Sequence, residues 1–152
     1  MTVHKINSSD LENDYTLIAI HSNAETYKLA FEINLKLKTN LEKFPFDITF
    51  EGNNSIFELY KHVSETYNTI LYLISNKSYN DTKVDSPSLF DNLSVSKYLI
   101  PELKKAEYLI KIEGGGFKID SLIKKLNKID LIVSCYSAKI NNSKSKYNTW
   151  RL

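Results

Sequence analysis

Cysteine is almost missing from this chain. Cys135 is the single one in 152 residues, so no internal disulfide can form and a reducing compartment is the natural setting. Glycine, at 4 residues, and proline, at 3, are scarce as well, which excludes collagen-like and low-complexity disordered classes. Arginine is rarer still. Arg151 stands alone among 20 basic residues, which disfavours bidentate recognition of phosphate or carboxylate. No apolar run approaches the roughly eighteen residues of a membrane span, and the polar opening MTVHKINSSDLENDY lacks the apolar centre of a secretory signal. The three histidines, His4, His21 and His62, do not have metal-ligand spacing, and neither HExxH nor CxxC occurs. The expectation is a cytoplasmic protein with no membrane partner, metal or other cofactor.

What is present describes an ordinary folded domain. Hydrophobic residues make up 42% and charged residues 25% of the chain, and this length fits one core. The net charge of +2 conceals a polarity: residues 1–95 carry 8 lysines against 13 acids, whereas residues 96–152 carry 12 basic residues against 5 acids. A basic C-terminal part suits an anionic partner, although folding can intermix the two halves.

The pattern of apolar residues predicts the elements. YTLIAIHS, residues 15–22, is apolar on both faces and reads as an interior strand. Ser22 followed by Glu25 reads as a capping box for a helix over 24–38, with Leu29, Ala30, Ile33 and Leu37 on its core face and Tyr27 and Phe31 widening it. FDITF, SIFELYKHV and YNTILYLIS read as an antiparallel meander. A polar stretch follows, and EYLIKI is the next strand, with Tyr108, Ile110 and Ile112 on one face. The turn Glu113–Gly116 leads to a helix over 118–129 striped by Ile119, Leu122, Ile123, Leu126 and Ile129. DLIVSCYS, residues 130–137, is again apolar on both faces and reads as a second interior strand. The expected fold is a single α+β domain: a two-layer sandwich of a mixed, mainly antiparallel sheet of five to six strands with two main helices. The N-terminus 1–13, the loop 76–97 and the tail 139–152 are the segments expected to be mobile, with Leu89 and Phe90 pinning the middle of the loop.

IPELKKAEY, residues 100–108, places Pro101 where a helical turn starts, with Glu102 near its positive end and Lys104 and Lys105 near its negative end. Ala106 is small enough to pass close to a neighbour, and Tyr108 opens the strand. The stretch reads as a loop-to-strand junction. It also resembles the signature of the IPExxxVDY family, small proteins of the Bacteroidota. Ile100, Pro101, Glu102 and Tyr108 stand at its named positions, Ala106 replaces valine and Glu107 replaces aspartate. TLIAIHSNAETYKLAFEIN, LYLISNK and SKSKYN extend the likeness over most of the chain. The resemblance implies no activity, cofactor or catalytic residue. Members of that family tend to be encoded near ribonuclease III and fatty-acid synthesis enzymes, which implies a housekeeping cytoplasmic role.

Chemistry-bearing residues are few. His21 and Ser22 sit where a strand meets a helix, a place that suits either a pocket or plain capping. Cys135 in an apolar strand reads as core. The glycines of Glu113–Gly116 lack the spacing of a phosphate loop. Lys118, Lys124, Lys125 and Lys128 on the second helix, with Lys139, Lys144, Lys146, Tyr147, Trp150 and Arg151 beyond it, form the remaining signal, since phosphates attract lysines and bases stack on rings. The expected function is a non-catalytic binding module or adaptor acting through this basic surface on another cytoplasmic protein. RNA binding by the same lysines is the alternative, and a small enzyme built on His21, Ser22 and Glu102 is the second alternative.

Overall fold

The computed structural model describes residues 15–50, 53–78 and 97–140. Its strands are β1 (Tyr15–His21), β2 (Glu42–Lys43), β3 (Ile48–Phe50), β4 (Asn53–Phe57), β5 (Leu59–Ser64), β6 (Thr69–Ser75), β7 (Tyr108–Glu113) and β8 (Ser134–Ala138). The helices are α1 (Thr26–Leu37) and α2 (Ile119–Leu126), and a 3-10 turn spans Pro101–Leu103. Six strands form one sheet in the order β2-β5-β6-β7-β1-β8, and β3 pairs with β4 in a separate small sheet. Every strand pairing among the described residues is antiparallel. The α+β class expected from the sequence is the one found.

Alternation along the central strands explains the layers. In β1, Ile18 and Ile20 join one core, while Leu17 and Ala19 join another on the opposite face. The first core holds Tyr108, Ile110 and Ile112 of β7 beneath Leu29, Ala30 and Ile33 of α1 and Leu122 and Leu126 of α2. Both helices therefore cover one face, and each fully buried leucine or isoleucine there contributes about 1.5–3 kcal/mol of transfer free energy. The second face is also buried. Leu99, Ile100 and Ala106 lie on it with Phe57, so the segment 97–106 and the β3–β4 ribbon form a further cover beyond the two expected layers.

Asn76 organises that cover. Fully buried, its side-chain NH2 donates to the carbonyls of Leu103 and Ala106, each at 2.9 Å, and its side-chain oxygen accepts the N–H of Ile100 at 2.8 Å. Its backbone N–H donates to Glu107 O and its carbonyl accepts from Leu99, both at 2.8 Å. The IPELKKAEY stretch is thus the expected junction, with Pro101 at the start of its turn, and the asparagine of LISNK closes it. Of the loop 76–97, residues 76–78 and 97 are tied down by the Lys77–Tyr98 bridge and by Ser78 N–H donating to Lys97 O. Leu89 and Phe90, like 1–13 and the tail beyond Ile140, lie outside the described residues.

Several expectations change. SIFELYKHV is two strands in different sheets, broken at Glu58, so the expected meander is split into two antiparallel hairpins, β3–β4 and β5–β6, that do not share a sheet. The break aims Glu58 at Thr26, whose hydroxyl donates to it, and at Lys43, 3.6 Å away. The capping box does not form. The residue at the N-cap of α1 is Glu25, with no side-chain cap, because Ser22 is occupied by main-chain groups. Strand β8 is shorter than 130–137 and lies at the sheet edge, not inside it. Residues 129–132 form a turn instead, with Ile132 N–H donating to Ile129 O at 3.0 Å. Tyr27 and Phe31 do not widen the core face: they are 57% and 59% exposed. Finally, Lys111 on β7 points into the second face at 1% exposure. Its ammonium is 2.6 Å from Glu113 and lies over the rings of Tyr15 and Tyr72, at 4.9 and 5.4 Å.

Candidate binding surface

The basic surface starts at two turns that sit against each other. Gly114 has φ +90, a conformation that disfavours any side chain, and a Cβ there would strike the backbone oxygen of Asn68. Two residues on, Gly116 donates its N–H to the Thr69 hydroxyl at 3.0 Å, and a Cβ would collide with Tyr67 and Thr69. The glycines of Glu113–Gly116 thus press the β7–α2 connection against the β5–β6 turn. That close approach delivers Lys118 and the first turn of α2 beside His62 and Tyr67.

The opposite wall comes from the end of α1. Asn34 accepts from the N–H of Leu41 at 2.7 Å and from the Thr39 hydroxyl at 2.9 Å, and it donates to Leu41 O at 3.1 Å. This wraps the chain around the helix end and leaves Lys38 as a left-handed C-cap with φ 55. His62 accepts the N–H of Asn40 on Nδ1 at 3.0 Å, so its neutral ring carries the proton on Nε2.

Between these walls runs a groove of about 400 Å³, lined among others by Lys38, His62, Tyr67, Lys118, Ser121 and Lys125. Among the described residues no carboxylate lines it, and none of the three lysines has a salt-bridge partner. An ammonium without a carboxylate nearby leaves a positive potential available to an incoming anion. Hydroxyls of Ser121 and Ser64 add further donors on the same walls.

Of the expected lysines, Lys118 and Lys125 meet at this groove, whereas Lys124 and Lys128 are exposed but outside it. Lys139 is exposed. Lys144, Lys146, Tyr147, Trp150 and Arg151 lie outside the described residues. Sequence reasoning missed Lys38. It belongs to the acidic half of the chain, and only the packing of α1 beside α2 brings it to the second helix. His62 carries no local sequence signal for the groove, since it lacks metal-ligand spacing to His4 and His21.

The pocket expected at His21 and Ser22 takes another form. The Ser22 hydroxyl donates to Leu131 O at 2.6 Å and accepts from Ala24 N–H at 3.2 Å, while its backbone N–H donates to Glu107 at 3.0 Å. Both hydroxyl bonds are to main chain, so no base activates it. His21 is paired with Tyr136 at 3.2 Å. Ser22 lines a shallow groove of about 410 Å³ together with Glu58, Lys77, Glu107 and Tyr108, and neither His21 nor Glu102 is part of that lining. The Tyr108 hydroxyl donates to Ala24 O at 2.6 Å, and burial raises its pKa. These bonds hold β1, α1 and β7 together. They do not form a nucleophile–base–acid set.

No helix among the described residues is long and apolar enough to cross a membrane. Compared with protein-family models, with curated proteins and with solved structures, the chain matches none. The likeness to the IPExxxVDY signature therefore rests on the residues that carry it, and the functional reading rests on geometry.

Proposed function

We propose that the protein is a non-catalytic binding module whose basic C-terminal surface, centred on the groove between α1 and α2, receives an acidic or phosphorylated segment of another protein. The observation that carries this reading is the carboxylate-free lining shared by Lys38, Lys118 and Lys125. Lys124 and Lys128 extend the positive surface along α2. The arrangement of Ser22 with main-chain partners favours binding over catalysis.

A second reading, single-stranded RNA, is favoured by Tyr67. It is 68% exposed beside the lysines, where a base can stack on it. Fluorescence anisotropy with a labelled acidic peptide and a labelled RNA 12-mer tests both. If an RNA strand neutralises three lysines, its affinity falls by roughly 20-fold between 50 and 200 mM salt, and Tyr67→Ala weakens RNA more than peptide. The triple variant of Lys38, Lys118 and Lys125 to alanine loses binding of whichever ligand is physiological. If neither ligand binds at low salt, or the triple variant binds as wild type, the proposal is wrong.

A further inference from the structure

We propose that α1 is the contact surface of a symmetric, antiparallel dimer of this chain. The inference is independent of the basic groove. Tyr27, Phe31 and Leu35 are 57%, 59% and 63% exposed, and their spacing of four residues aligns them in one apolar strip along the helix. Leu29, Ala30 and Ile33 already bury the opposite side against the sheet, so the strip has no role in the monomer's core. Three large exposed apolar side chains in a row on a short helix make a contiguous strip, the kind of feature that marks an interaction surface when it is large enough.

The charges beside the strip identify the occupant. Glu25, Lys28, Glu32 and Lys36 follow each other at spacings of three and four, all exposed or half-exposed, on the same flank of the strip. Their signs alternate. In an isologous pair every contact occurs twice, with the residue order reversed in the second copy. Placing Phe31 on the dyad sets Tyr27 against Leu35 of the second copy and Phe31 against its own counterpart. The same reversal sets Glu25 against Lys36 of the second copy and Lys28 against Glu32 of the second copy. Because the dyad runs along the flank direction, both charged flanks lie on the same side of the interface. In a parallel pair, like charges would fall at equal heights and the flanks would lie on opposite sides. The alternation is therefore complementary to itself in the antiparallel orientation. Among the described residues the flank's one salt bridge within a chain is the exposed Glu25–Lys28 pair at 3.7 Å, and Lys28 also lies 5.6 Å from the centre of the exposed Tyr27 ring; such exposed contacts are worth little in water.

The interface is about one helix long, so the dimer belongs to the weak, concentration-dependent class. Sedimentation equilibrium of the full chain over ~5 to ~500 µM tests it. The mass rises toward that of two chains with concentration, and Phe31→Glu holds it at one chain while leaving the circular dichroism spectrum unchanged. Two charge variants supply the orientation. One carries Glu25→Lys and Glu32→Lys, the other Lys28→Glu and Lys36→Glu. Each alone associates at least about tenfold more weakly than wild type, and an equimolar mixture recovers association as a heterodimer. A wild-type protein that stays monomeric over the whole range overturns the proposal. So do charge variants that self-associate as tightly as wild type, because the flank charges would then play no part in choosing the partner.

Discussion

The side-chain oxygen of Asn76 accepts the backbone N–H of Ile100 at 2.8 Å, while its NH2 group holds the carbonyls of Leu103 and Ala106. One buried amide thus replaces, for the IPEL turn, the partners that a regular element would supply. Asn76→Ala leaves the Ile100 N–H and the Ala106 carbonyl without the bonds the amide gives them beneath apolar cover, while the Leu103 carbonyl keeps the Ala106 N–H at 2.8 Å, and the expected loss is about 2–4 kcal/mol of stability. Asn76→Asp keeps the acceptor but turns a second oxygen toward those carbonyls, so it is destabilising too. Urea denaturation measures both, and a loss under about 1 kcal/mol would show that the turn does not depend on this residue.

Glu107 acts as a structural tie through Ser22. Glu107→Ala is expected to cost about 1–2 kcal/mol, with Glu107→Gln recovering roughly half because an amide oxygen still accepts from the Ser22 N–H. Neither variant changes affinity for an anionic ligand, since this contact lies apart from the lysine groove. A loss of ligand affinity with stability intact would move the binding site to the shallow groove beside Ser22.

Lys111 and Glu113 are unequal partners. Lys111 is almost wholly buried, whereas the Glu113 side chain keeps 34% of its exposure. Removing the acid strands an ammonium, and Glu113→Ala is expected to cost about 2–3 kcal/mol, below the 3–5 of a fully buried pair because water still reaches the rim. Lys111→Met keeps the volume and the contact with Tyr15 and Tyr72, so it is expected within about 1.5 kcal/mol of wild type. Thermal denaturation of the two variants separates them, and equal losses would contradict this picture.

Cys135 is a core thiol. Burial pushes its pKa up to about 11 from an ordinary 9.0, and its amide is held by Asn127 at 3.0 Å. A group that keeps its proton more tightly when folded contributes stability below the unfolded pKa and loses it as pH rises from about 9 toward 11. Labelling by a disulfide reagent at pH 8 is therefore expected to be slow in buffer and fast in urea. Cys135→Ala flattens the alkaline fall in stability. Rapid labelling of the folded protein would refute the assignment.

The sequence made the central architecture legible where periodicity was strong. β1 and β7 alternate between two buried faces, and the stripe of Leu122 and Leu126 seats α2. It misled where a local signal was ambiguous. Tyr27 and Phe31 extend an apolar pattern on the helical wheel, yet α1 turns them outward because Leu29, Ala30 and Ile33 already fill the width available over the sheet. Ser22 and Glu25 have capping-box spacing, but the Ser22 hydroxyl is claimed by Leu131, over one hundred positions away. Long-range partners of this kind leave no local trace. The groove was half legible for the same reason: α2 announces Lys118 and Lys125, and nothing near Lys38 or His62 announces that they join it.

The most direct measurement is an amide NMR titration with the RNA 12-mer and, separately, the acidic peptide. Binding at the groove predicts salt-sensitive shifts concentrated at Lys38, His62, Gly116, Lys118, Ser121 and Lys125, lost when the three lysines become alanine. Shifts that cluster instead around Ser22, Glu107 and Tyr108, or none at low salt with either ligand, would contradict it.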